Sequence, residues 1–282
     1  MIIFKAPQSE VLAALQAIVG IVEKRHTIPI LANVLIRKQG ENSELITSDL
    51  EIQMRNRVNL GGDEAENFST TIAMRKLIDI LRTLSPEQVV SLEQQDKKII
   101  LKGGKSRFTL QSLPADDFPL VQEASSYATT LVLAQKTLKK LLQQVAFAMA
   151  VQDIRHYLNG LLLQTNGKKL ALVTTDGHRL AYAEAELEQE MPAQEVILPR
   201  KTVLELLRLL DENSEEPIEI AFASNQARFR FGKLEFVSKL VEGKFPDYNR
   251  VIPQNHQQNI TVSRTGLQAS LQRSAIMMSE KF

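Results

Sequence analysis

The chain has no cysteine and no tryptophan. Without cysteine there is no disulfide framework, no thiol nucleophile and no zinc–thiolate site. Without tryptophan, and with only 11 Phe and 4 Tyr in 282 residues, there is little material for a base-stacking platform. No apolar run reaches the ~18 residues that a membrane helix requires. The start, Met1-Ile2-Ile3-Phe4-Lys5-Ala6-Pro7-Gln8, lacks a basic segment followed by an apolar one, so no secretory signal is read there. The expected compartment is the cytoplasm, with no membrane partner. The formal net charge is only +1, which argues against a globally basic nucleic-acid binder. Four histidines, His26, His156, His178 and His256, show no His-x-x-x-His spacing, so neither a metal nor another cofactor is expected.

What is present is ordinary in amount and unusual in arrangement. Hydrophobic residues make up 44% and charged residues 24%, as in globular proteins. At ~150 residues per domain the length suggests two domains, each large enough for its own core. The sequence then repeats. Thr47-Ser48-Asp49 returns as Thr174-Thr175-Asp176, Val11 and Leu15 as Leu138 and Leu142, and Phe118-Pro119 as Phe245-Pro246, each 127 residues later. Arg75-Lys76-Leu77 returns as Arg200-Lys201-Thr202, 125 residues later. The opening pattern starts a third time at Ile260-Thr261-Val262 with Leu267 and Leu271. The expected organisation is module one at 1–127, module two at 128–256, and the start of an incomplete module three at 257–282.

Each module reads as α+β, with few helices and antiparallel strands dominant. In module one, Ser9 is expected to cap a helix carrying Val11, Leu12, Leu15, Ile18 and Val19. Strands follow at 33–36 and 44–60. A second helix at 74–84 puts Leu77, Ile80, Leu81 and Leu84 on one face. Strands at 98–101 and 106–110 flank Gly103-Gly104. Module two repeats this with a helix near 136–150, a hairpin signal at Asn166-Gly167, and a helix bearing Val203, Leu206, Leu207 and Leu210. Three strands then turn at Ser224-Asn225 and Gly232-Lys233.

Charge is neutral in sum but segregated. Lys136, Lys139 and Lys140 stand together without an acid, and Arg75, Lys76 and Arg82 share a helix with one Asp. Acid collects in connections such as Glu184, Glu186, Glu188 and Glu190. Basic helices of this kind suit salt-sensitive, sequence-independent phosphate contacts; solvated helix faces are the plainer alternative. Gly104-Lys105-Ser106 is not a P-loop, because Ile99 occupies the position of its first glycine and the segment lies between strands. Asp176-Gly177-His178 suggests acid–base chemistry, but its counterpart Asp49-Leu50-Glu51 keeps only the Asp, as a turn residue would. Thr175, Gly177, His178, Arg179 and Leu180 form a loop that module one is not expected to reproduce. With Leu158, Pro246 and Val251 they are candidates for an apolar cleft that captures a partner.

The run Thr174-Thr175-Asp176-Gly177-His178-Arg179-Leu180-Ala181 resembles a signature of the bacterial β sliding clamps, the beta subunits of DNA polymerase III. Further matches are Thr27-Ile28-Pro29-Ile30-Leu31, Gln152 to Gly160, Ser238-Lys239-Leu240-Val241, Phe245-Pro246-Asp247-Tyr248 and Ser279-Glu280-Lys281-Phe282. The resemblance implies tandem clamp modules, each with two helices on an inner face and antiparallel sheets outside. It implies a replication processivity factor without chemistry of its own. Two subunits of three modules close head to tail around double-stranded DNA. They tether the polymerase III alpha subunit, the clamp loader, other polymerases and repair proteins through short linear motifs. By position it assigns DNA contacts to Arg25, Arg75, Gln152, His156 and Tyr157, with His156 standing where a relative has tyrosine. It assigns the peptide cleft to Leu158, Thr175, Gly177, His178, Arg179, Leu180, Pro246, Arg250 and Val251. It assigns the subunit interface to Phe108 and Leu110 on module one and to Ile276 and Met277 on module three. With module three incomplete, the expected state of this chain is a monomer with a partial cleft. The competing readings are a metal-dependent nucleic-acid enzyme using Asp49 and Asp176, and a scaffold that binds only protein.

Overall fold

The computed structural model describes residues 1–23, 27–63, 67–96 and 98–278. Module one runs β1 (Ile2–Pro7), α1 (Gln8–Gln16), β2 (Asn33–Gln39), β3 (Asn42–Ser48), β4 (Ile52–Asn59), β5 (Phe68–Ala73), α2 (Met74–Arg82), β6 (Val89–Gln95), β7 (Lys98–Gly103), β8 (Ser106–Leu110) and β9 (Ser112–Leu113). Module two runs β10 (Thr129–Ala134), α3 (Gln135–Val145), β11 (Gly160–Thr175), β12 (Leu180–Pro199), α4 (Arg200–Leu209), β13 (Pro217–Phe222), β14 (Gln226–Phe231) and β15 (Leu234–Lys239). A last helix, α5 (Arg264–Ala275), follows. Residues 1–245 form one compact unit and residues 246–282 a second, much smaller one.

The repeat is visible in the hydrogen bonds. Thr47 Oγ1 donates to Ile18 O at 2.8 Å, and Thr174 Oγ1 donates to Val145 O, 127 residues on. Arg75 Nη2 donates to Val22 O at 2.5 Å, and Arg200 Nη1 to Met149 O at 3.5 Å. The sheets repeat too. Module one has the sheet β1-β6-β7-β8, and module two has β10-β13-β14-β15 in the same order. The second sheet does not stop at the module boundary. Its edge strand β15 pairs with β4, giving a nine-stranded sheet ordered β10-β13-β14-β15-β4-β3-β2-β5-β9. One hydrophobic cluster likewise extends from Ile3, Leu15 and Leu77 to Leu142, Leu206 and Phe229. The two sequence modules therefore share a core and a sheet.

Several local expectations shift. Ser9 does not cap α1; it lies inside the first turn, its N–H donating to Pro86 O at 2.9 Å. The buried face of α2 is Met74, Leu77, Ile78 and Leu81, the i, i+3, i+4, i+7 stripe of an amphipathic helix, with Ile80 and Leu84 half-buried. In α4 Leu207 is half-buried, and Thr202 takes the buried place beside Val203 and Leu206. The helix near 136–150 is α3 plus a separate 3₁₀ turn, Ala146–Ala148. Residues 44–60 split into β3 and β4 around Asp49. Asn166-Gly167 lies within β11, where the pairing with β12 breaks register and Gly167 takes φ +58°. Gly104 takes φ +56° in the β7–β8 hairpin, which confirms a turn rather than a phosphate loop.

Candidate nucleic-acid and peptide interface

Asp176 organises the loop between β11 and β12. Its Oδ1 accepts the N–H of His178 at 2.9 Å and of Arg179 at 3.0 Å, while Oδ2 accepts Arg179 Nε at 3.1 Å. Those backbone N–H bonds come first in holding its carboxyl below the usual aspartate range. Thr175 Oγ1 closes the loop, donating to Arg179 O at 2.7 Å and accepting Gly177 N–H at 3.1 Å. Gly177 has φ +88°, a left-handed conformation that costs glycine nothing.

Module one contains the same loop, contrary to the sequence expectation. Asp49 Oδ1 accepts the N–H of Glu51 at 3.0 Å and of Ile52 at 2.7 Å, and Leu50 holds φ +75° where Gly177 has +88°. The backbones match and only the side chains differ, so the turn is a property of the Asp. Asp49 has a further partner: Lys201 Nζ of α4 lies 2.5 Å from its Oδ2 and 3.1 Å from Glu23. Burial pulls the Lys201 pKa down, but the two carboxylates outweigh it and raise it above the usual lysine value. Both aspartates are thus turn formers held by cations. Among the described residues no three His, Asp or Glu side chains converge in a metal-binding geometry.

Arg155 joins the Asp176 loop to the segment that follows α3, and the sequence reading did not single it out. Its guanidinium clasps Asp153, Nε to Oδ1 at 3.0 Å and Nη2 to Oδ2 at 2.9 Å. That clasp holds the Asp153 carboxyl down to about 2. Nη2 also reaches Asp176 O at 3.5 Å, and a Cβ on Gly177 would stand 3.3 Å from it. The available signal was an Asp-x-Arg spacing whose side chains can close on each other. Leu158 is buried at 1% exposure, so it offers no surface of its own; its N–H donates to Arg155 O at 2.9 Å. Leu180 is half-buried, and His178 and Arg179 are exposed. Arg179 lies 5.6 Å from the Phe147 ring centroid, and Phe147 is itself exposed.

Of the residues assigned to DNA, Arg25 lies outside the described residues. Arg75 is exposed in the first turn of α2 with its guanidinium on Val22 O. Gln152 is exposed at φ +56°, His156 is exposed and Tyr157 half-buried, all in one connection of module two. The basic cluster on α3 is partly spent internally: Lys136 pairs with Glu215, and Lys139 donates to Leu210 O at 2.8 Å. At the proposed interface, β8 ends its sheet, with Phe108 half-buried and Leu110 turned into the core at 6% exposure. In the smaller unit, Pro246, Arg250 and Val251 are exposed, Arg250 pairs with Asp247 at 2.9 Å, and Ile276 and Met277 are exposed beyond α5.

Tandem modules of two helices and antiparallel sheet, fused edge to edge through one continuous sheet, define the architecture of a DNA clamp. Family models agree: the N-terminal domain of the DNA polymerase III beta subunit matches residues 2–122, and its central domain matches residues 132–247. The beta sliding clamp of Pseudomonas aeruginosa is 41% identical over 99% of this chain and 76% of its own length. A crystal structure of the P. aeruginosa DNA polymerase III subunit beta superposes with a TM-score of 0.93 at 40% identity, covering 99% of this chain and 75% of that one. Another P. aeruginosa clamp structure, bound to griselimycin, gives 0.92 at 40% identity over the same shares. The chain belongs to the bacterial β sliding clamp family. That family's role is replication processivity, and it is not an enzyme. The metal-dependent nuclease reading falls with that membership.

Proposed function

We propose that the chain acts on duplex DNA without sequence preference and holds replication partners by short peptides docked at the Asp176 loop. The carrying observation is the loop itself. Asp176, Thr175 and Arg155 hold its backbone by hydrogen bonds, so Arg179 and Leu180 stand on a pre-ordered support. A pre-ordered surface with exposed Phe147 alongside suits capture of an apolar, extended segment at low ordering cost. The proposed peptide residues are Leu158, Thr175, Gly177, His178, Arg179 and Leu180, joined by Arg155. Pro246, Arg250 and Val251 remain proposed contributors from the following unit. Polymerase III alpha subunit, clamp loader and repair polymerases are the proposed sources of such peptides. Arg25, Arg75, Gln152, His156 and Tyr157 are the proposed phosphate contacts, and β8 with Phe108 is the proposed assembly edge, with Leu110 beneath it. Ile276 and Met277 are the proposed opposite side of that interface. The module limits at 127 and 256 are proposed as functional boundaries. The proposed compartment is the cytoplasm, where a bacterial chromosome is copied; no described helix is long and apolar enough to cross a membrane.

The test is an NMR titration with a short peptide of glutamine followed by leucine and phenylalanine. Shifts should appear at Thr175–Leu180 and at Arg155, and should vanish in Leu180→Asp. Shifts confined to other surfaces, or unchanged in Leu180→Asp, reject this site.

A further inference from the structure

The connection from α3 to β11 folds back on itself. At its base Ala150 N–H donates to Leu158 O at 3.0 Å, and the N–H of Arg200, the first residue of α4, donates to Asn159 O, also at 3.0 Å. Arg200 Nη1 reaches Met149 O at 3.5 Å, so α4 holds both ends of the connection. Between them stands Gln152, exposed and at φ +56°. In that left-handed region a Cβ crowds the following carbonyl oxygen, which is why glycine usually occupies it. Gln152 has a Cβ, so neighbouring bonds must impose its conformation.

Asn159 supplies them. Its Oδ1 accepts Asp153 N–H at 2.9 Å, and its Nδ2 donates to Asp153 O at 2.8 Å. One planar side-chain amide thus takes both backbone groups of the residue that follows Gln152. The Asn159 N–H donates to His156 O at 3.0 Å, which closes the 3₁₀ turn His156–Leu158 from the same residue. Module one uses the corresponding asparagine differently. Asn33 follows the 3₁₀ turn Pro29–Ala32 and opens β2, as Asn159 follows its turn and precedes β11. Asn33 is buried, and its Nδ2 donates to Thr71 Oγ1 of β5 at 3.0 Å. The same residue type joins two strands in one module and shapes an exposed connection in the other.

We propose that Asn159 is a positioning residue for DNA: its side-chain amide fixes the left-handed Gln152 and the turn at His156, and so poises both residues for phosphates. The proposal rests on reading Gln152 and His156 as phosphate contacts and names the residue that orders them. The ordering cost of the connection is met before DNA arrives, and affinity falls with any loss of the competent conformer. The Asp176 loop does not depend on Asn159, because Asp176 and Thr175 close it with their own bonds. Loss of the Asn159 amide is therefore felt at Gln152 and His156 and not at residues 175–180.

NMR titration of the full chain with a short duplex at low ionic strength tests the proposal in wild type, Asn159→Ala and Asn33→Ala. In Asn159→Ala the Gln152 Cα and Cβ shifts should leave their left-handed values, and the duplex midpoint read at Gln152 and His156 should rise about three- to tenfold, as two lost hydrogen bonds imply. The resonances of residues 175–180 should stay in place. Asn33→Ala should lower the melting temperature and leave the Gln152 shifts and the duplex midpoint as in wild type. Asn159→Asp keeps the acceptor and loses the donor; it should give intermediate Gln152 shifts, and it carries the comparison where Asn159→Ala does not fold. Gln152 shifts or a duplex midpoint unchanged in Asn159→Ala overturn the proposal. Displacement of residues 175–180 together with Gln152 also overturns it, since Asn159 would then be a general structural residue. A wild-type chain whose Gln152 and His156 ignore the duplex overturns the phosphate reading and the proposal with it.

Discussion

At the scale of single residues, the two turn aspartates show how one residue type serves two ends. Asp176 shapes an exposed loop, whereas Asp49 shapes the same loop and is then covered by Lys201. Asp49→Ala should therefore cost more stability than Asp176→Ala, by about 1–2 kcal/mol, because it leaves a half-buried ammonium with a weaker partner. Urea midpoints of the two variants measure the difference. Asp153 makes a sharper prediction. Its folded value of about 2 lies below the ordinary 3.8, so the Arg155 clasp favours the folded loop at neutral pH and above. That contribution begins to fade as pH falls below 3.8 and is gone below about 2. Carboxyl NMR titration should find Asp153 ionised down to about pH 2, and Arg155→Ala should return it toward 3.8. Gly160 is a packing residue: a Cβ there would sit 2.5 Å from Leu198 O and 2.9 Å from Ile197 Cγ2. Gly160→Ala should cost about 2 kcal/mol or more, since the nearest obstacle is backbone. The Asp turn could be inferred from its recurrence in the sequence. Its Lys201 partner could not, because the two residues are separated by 152 positions.

At the scale of elements, the outer face of the long sheet carries charges that alternate from strand to strand. Arg37 on β2 faces Glu44 on β3, which faces Arg57 and Arg55 on β4. Arg55 faces Glu235 on β15, which faces Arg230 on β14, which faces Glu219 on β13. The ladder crosses the module boundary at Arg55–Glu235, where both side chains are largely buried. Burial pushes Glu235 up, but Arg230, Arg55 and Arg57 outweigh it and hold its carboxyl below the ordinary 4.5. Its folded value being the lower, its contribution is complete above pH 4.5 and is lost as pH falls through the folded value. Glu235→Gln should destabilise the chain by about 2 kcal/mol near neutral pH, because Arg55 keeps Glu44 and Glu123 but loses the most buried of its three carboxylates, which Arg230 loses too. The gap between wild type and variant in urea midpoint should close in acid. The strands themselves were readable from apolar alternation. Their order across the boundary was not, because pairing of β15 with β4 joins segments with no local signal for each other.

At the scale of the whole molecule, two sequence modules make one structural unit. The shared core and the nine-stranded sheet predict a single cooperative calorimetric transition for residues 1–245 rather than two. Two well-separated transitions would show that the seam transmits little. Contacts to DNA phosphates should be weak and few, with a shallow dependence on salt, because much of the positive charge on α3 and α4 is engaged within the fold. A short duplex titrated at low ionic strength should shift resonances of Gln152 and His156, and modest salt should weaken those shifts only slightly.

The sequence by itself determined the module repeat, the α+β class, the helices and the Asp turns. Each of these depends on residues close in the chain or recurring at a fixed interval, where periodicity and turn chemistry act locally. Tertiary structure alone decided that Leu158 is buried, that Leu110 faces inward, that Arg155 binds the loop, and that the modules merge through one sheet. Those outcomes follow from long-range packing and strand pairing, in which each partner's choice depends on burial that no local segment specifies.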